Sequence, residues 1–64
     1  MGRINLDNGR FIGYEIVNNP KGENNIIWRE YTGEGKTTGK VGDISKNGES
    51  EIELIMDNYR LFVN

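Results

Sequence analysis

Apolar residues recur at every second position in short runs along this chain, and glycine or asparagine interrupts each run. Arg3 to Leu6 reads as a short first strand. Arg10 to Val17 reads as a second, with Ile12, Tyr14 and Ile16 on one face. Asn25 to Thr32 is a third, and Val41 to Ser45 a weak fourth. Glu51 to Met56 sets Ile52, Leu54 and Met56 against Glu51 and Glu53, and Tyr59 to Val63 groups Tyr59, Leu61 and Val63. Asn8-Gly9, Asn18 to Gly22 with the only proline, Asn47-Gly48 and Asp57-Asn58 are the turns. Asn-Gly, at Asn8-Gly9 and repeated at Asn47-Gly48, is the strongest short-range hairpin signal, because both residues tolerate a positive φ. Gly33 to Lys40 reads as a loop, or as a hairpin with glycine-weakened arms. One segment has a rival reading: over Ser50 to Phe62 the residues Ile52, Ile55, Met56 and Tyr59 would share a helical face. Asp57-Asn58 in its middle favours two strands. The pattern predicts an all-β chain, folded as a small, strongly bent antiparallel sheet of five or six strands or as a small barrel.

Several apolar side chains fall off this phase. Phe11 and Val17 point away from Ile12, Tyr14 and Ile16. Ile26 and Trp28 oppose Ile27 and Tyr31, Ile55 opposes Leu54, and Phe62 opposes Leu61. A sheet with one solvated face alternates more cleanly than this. Curvature and bulges bury some of these residues in one reading. In the other a second apolar face, or an exposed edge, packs on another copy. The second reading gives a homo-oligomer, with Phe11, Val17, Trp28, Ile55 and Phe62 as its interface residues.

Composition narrows the chemistry. Sixty-four residues make one domain, 1–64, whose thin core adds weight to self-association. There is no cysteine and no histidine, so disulfides, thiolate metal sites and the commonest general base are all missing. No catalysis, no metal and no cofactor are expected. A net charge of −2 gives no overall attraction for polyanions, which makes duplex nucleic acid an unexpected partner. Neither a secretion signal nor a membrane span is expected, and a cytoplasmic location fits the cysteine usage. The Asn-, Ile-, Lys- and Glu-rich flavour matches an AT-rich genome, as in a low-GC bacterium or its phage.

Three constellations could carry a function. Glu34 to Lys40 contains Gly35-Lys36-Thr37, but Glu30 stands where a Walker loop needs its first glycine, and no helix can start at Thr38-Gly39-Lys40. What survives is a glycine-flanked anion nest, set against a plain solvated hairpin tip. Trp28-Arg29-Glu30-Tyr31 brings residue types enriched in binding hot spots, set against a core tryptophan beside a surface arginine. Arg29, Tyr31, Lys36, Thr37, Thr38 and Lys40 could together grip a ring and a phosphate. Glu49, Glu51 and Glu53 form an acidic stripe on one strand face, extended by Glu30 and Glu34. Such a stripe could capture a basic protein or could simply be solvated.

Leu6-Asp7-Asn8-Gly9-Arg10-Phe11-Ile12-Gly13, followed by Asn24-Asn25-Ile26-Ile27, resembles the first motif of the Sm and Sm-like family. Asp57 to Val63 is similar to the end of that family's second motif. The Gly9 to Gly13 gap is one residue shorter than the family's, which changes side-chain parity. The resemblance covers about half of the chain and implies an SH3/Sm-like barrel that assembles into rings, with RNA binding as a third functional reading. Ahead of it stand an oligomeric binder of a phosphorylated small ligand such as a nucleotide, of the kind a phage encodes for sequestration, and an interaction or inhibitor module docking on a protein target through the acidic stripe or a free sheet edge.

Overall fold

The structure is a computed structural model and describes residues 1–63. Four strands, β1 (Gly2–Asn5), β2 (Phe11–Asn18), β3 (Asn24–Tyr31) and β4 (Thr37–Lys46), precede one helix, α1 (Glu51–Val63). The strands form an antiparallel meander in the order β1-β2-β3-β4, and the sheet does not close. The molecule is therefore mostly sheet with a C-terminal helix. The expected fifth and sixth strands, Glu51 to Met56 and Tyr59 to Val63, are instead that single helix.

All three hairpins turn in the same way. Gly9, Gly22 and Gly35 each donate to the carbonyl three residues back, at 3.3, 3.0 and 2.8 Å, and each has φ between 81° and 89°. This is a three-residue loop closed by a left-handed glycine. Among the described residues only glycines take a positive φ. Asn8 therefore does not share the left-handed role; its Oδ1 accepts from the Arg10 amide at 3.0 Å, and Asn19 Oδ1 likewise accepts from Lys21 and Glu23.

The helix wins over Ser50 to Phe62 because its apolar face has somewhere to go. Ile55 and Tyr59, one turn apart, are buried against the wholly buried Ile12, Ile26 and Trp28. Glu51 and Glu53 suit the helix N-terminus, and Arg60 suits its C-terminus. Asn58, read as a turn residue, accepts the Trp28 indole N–H at 2.8 Å. Gly42 lies beneath that bond; a Cβ there would run into both Trp28 and Asn58, so the missing side chain is what lets α1 come down onto β3 and β4.

The pairing of β3 with β4 carries a bulge. Arg29 pairs with Val41 and Tyr31 with Thr37, so three residues of β4 face Glu30 alone. Gly39, at φ 93°, absorbs the insertion. Thr38 and Lys40 consequently both turn to the helix side, where they meet Glu30.

Candidate functional site

The helix occupies one face of the sheet and leaves the other without a covering layer among the described residues. The register arranges that open face in four rows. Asn5, Phe11, Tyr31 and Thr37 form the first, and Arg3, Gly13, Arg29 and Val41 the second. Glu15, Ile27 and Asp43 form the third, and Val17, Asn25 and Ser45 the last. Phe11 and Tyr31 stack with ring centroids 5.1 Å apart and planes 18° from parallel. The Arg3 guanidinium carbon lies 3.8 Å from the centroid of the Phe11 ring. Arginine, phenylalanine and tyrosine thus form one layered array. Tyr31 leans across Gly13, coming within 3.0 Å of where a Cβ would stand.

A depression of about 480 Å³ opens here, with Arg3, Phe11, Gly13, Ile27, Arg29 and Tyr31 in its lining. Gly35 of the β3–β4 turn borders it, while Lys36 pairs with Thr32, one position out of phase with the open-face pair Tyr31–Thr37, and is not in the lining. Arg29 is exposed and has no ion pair among the described residues. Asp43, one row away, is engaged by the Asn25 amide at 2.9 Å. The site offers Arg29 on one side of Gly13 and Arg3 on the other, the Arg3 guanidinium lying over Phe11 with its Nε donating to Asn5 Oδ1 at 2.9 Å, and an apolar floor at Ile27.

The residues expected to form a ligand site are not all brought together. Arg29, Tyr31 and Thr37 stand on the open face and Lys36 lies in the turn. Thr38 and Lys40 are on the other side of the sheet. The two-residue insertion at Gly39 makes this division and left no signal in the polar–apolar pattern. Arg3 was missed; its parity with Phe11 across an antiparallel pair would have placed it. Of the expected interface residues, Phe11 and Val17 lie on the open face, while Trp28 and Ile55 are wholly buried core. Phe62 packs edge-on against Trp28 at 5.6 Å and is otherwise half exposed. The acidic stripe does not exist as a strand face. Glu49 lies in the turn before α1, Glu51 and Glu53 are in the first helical turn, and Glu30 is buried.

Glu30 is the other concentration of charge. Its carboxylate accepts from Tyr59 Oη and from Thr38 Oγ1 (2.6 Å), with Lys40 Nζ at 3.4 Å and an Arg10 guanidinium nitrogen at 3.5 Å. Desolvation pushes the carboxyl up, but the hydrogen bonds from Thr38 and Tyr59 and the Lys40 charge together outweigh it, and the net shift is downward. Tyr59 is held above the usual phenol value by its hydrogen bond to Glu30, by burial and by the carboxylate's charge, with Arg10 opposing. The group is sealed between sheet and helix and works as a polar clasp. No cluster of three metal-ligating side chains occurs among the described residues.

The fold and the open face define a class, an open-faced four-stranded meander backed by one helix. Comparison with protein-family models, curated proteins and solved structures finds no match to this chain.

Proposed function

We propose that the chain is a non-enzymatic binding protein for a small phosphorylated ligand with a planar ring, of the nucleotide class, held on the open sheet face. The observation that carries this reading is the grouping of Arg3, Phe11, Arg29 and Tyr31 around one depression. A ring extends the Phe11–Tyr31 array, and its phosphate lies between Arg29 and Arg3, which turns to it from Phe11. This refines the residue set expected from sequence: Arg29 and Tyr31 stay, Arg3 and Phe11 join, Lys36 and Thr37 fall outside the lining, and Thr38 and Lys40 serve Glu30 instead. A net charge of −2 fits a local pair of arginines reading one anion better than a groove reading a polymer.

Calorimetric titration with adenosine monophosphate tests the reading. Binding is expected, and Arg29→Ala or Arg3→Ala should each weaken it by roughly tenfold, the scale of one hydrogen bond to a charged group. Both side chains are exposed, so the thermal midpoint should hardly move. Affinity unchanged in both variants would remove the site.

A further inference from the structure

The open face is charged in a self-complementary order, with a basic row directly beside an acidic one. We propose that it is also the interface of a homodimer, related by a two-fold axis that runs across the strands between those rows. That operation keeps each strand opposite its own copy and reverses the rows. Over Gly13, which carries no side chain of its own and has the Tyr31 ring at its edge, it sets Glu15 of the partner subunit, flanked on one side by Arg3 and on the other by Arg29. Asp43 of the partner subunit comes over Val41, beside Arg29. The same contacts repeat on the other side of the axis, as an isologous interface requires.

The other face-to-face arrangement, with the axis along the strands, keeps each row opposite itself. It would bring Arg29 of the partner subunit over Gly13, between Arg3 and Arg29, and gather like charges. Charge order therefore selects one of the two. Size agrees with a modest dimer: three strands of about seven residues and the four of β1, at about 4.8 Å by about 3.3 Å, cover roughly 400 Å² per copy. The pair hides about 800 Å² by that measure, below the roughly 1,000 Å² at which stable interfaces begin and the size of a weak, dissociating one. Val17, Ile27, Val41 and the Phe11–Tyr31 pair supply the apolar contact, and sheets so stacked pack about 10 Å apart. The partner's Glu15 carboxylate falls where the ligand's phosphate would lie, so ligand and second copy exclude one another. Only this exclusion rests on the ligand reading.

Sedimentation velocity of the full chain over a dilution series, with and without adenosine monophosphate, tests the proposal. A monomer–dimer equilibrium is expected, with the nucleotide shifting it to monomer. Glu15→Arg should weaken the dimer at least tenfold, as should the double variant Arg3→Glu with Arg29→Glu. Mixing those two charge-reversed proteins should restore a dimer. Circular dichroism confirms that each variant is folded, and Glu15→Gln stands in if Glu15→Arg is not. A wild-type chain that is monomeric at every concentration overturns the proposal, as does a folded Glu15 variant that dimerises as tightly as wild type. Nucleotide binding without any dimer sinks the interface and leaves the ligand site. A dimer that ignores the nucleotide sinks the ligand site and leaves the interface.

Discussion

Glu30 brings a full charge into the seam between sheet and helix, and its surroundings fix how stability responds to pH. Its carboxyl is lowered in the folded chain, so its contribution is complete above about pH 4.5 and is lost as pH falls through the folded value. Tyr59 behaves in the opposite sense. Its raised value makes its contribution complete below about pH 10, and that contribution is lost as pH rises through the folded value. Denaturant titrations at a series of pH values should show both limbs; Glu30→Gln should flatten the acidic one, and an unchanged acidic limb would assign it to other carboxylates. Tyr59→Phe removes the hydroxyl donor to a buried carboxylate and should cost about 2 kcal/mol by the same measurement. Sequence could not disclose this clasp, since a glutamate between Arg29 and Tyr31 on a strand reads as a surface residue and charged side chains are seldom buried.

At the level of the elements, glycine does two different jobs that substitution separates. Gly42 is needed for closeness, because any Cβ would strike Trp28 and Asn58. Gly9 is needed for its backbone angle, since a Cβ there meets nothing within 4 Å but φ is 83°. Gly42→Ala should cost about 1–3 kcal/mol and disturb Trp28 fluorescence as α1 lifts. Gly9→Ala should cost about 1–2 kcal/mol and leave that fluorescence as it is. Equal effects on the tryptophan would show that α1 is not seated through Gly42. The first three strands and their turns were legible because β-branched and aromatic alternation stops at glycines. So was the split of Ile26 and Trp28 from Ile27 and Tyr31. The helix was not, because Ile52, Leu54 and Met56 satisfy a period of two while Ile55 and Tyr59 satisfy one near four. What decides between them is tertiary and invisible locally: the core that receives Ile55 and Tyr59, and the Trp28 indole that Asn58 meets. Half of the candidate site was legible in Arg29 and Tyr31; Arg3 needed the register, and Thr38 and Lys40 were displaced by the Gly39 bulge.

For the molecule as a whole, one sheet face is committed to the helix and the other is available. If two copies share that face, mass action ties folding to concentration, and the thermal midpoint should rise as the protein is concentrated. A midpoint independent of concentration would mean that each chain stands alone. The meander itself has a kinetic meaning. Each strand pairs only with its neighbour in sequence, across loops of three residues, so no distant ends must find each other before the first contacts form. The chain can zip outward from any of its bends, and α1 is expected to dock last, on a Trp28 already held by its flanking strands. Refolding after dilution from denaturant should accordingly finish within milliseconds, faster than for a closed barrel of equal length, with tryptophan burial as its last event.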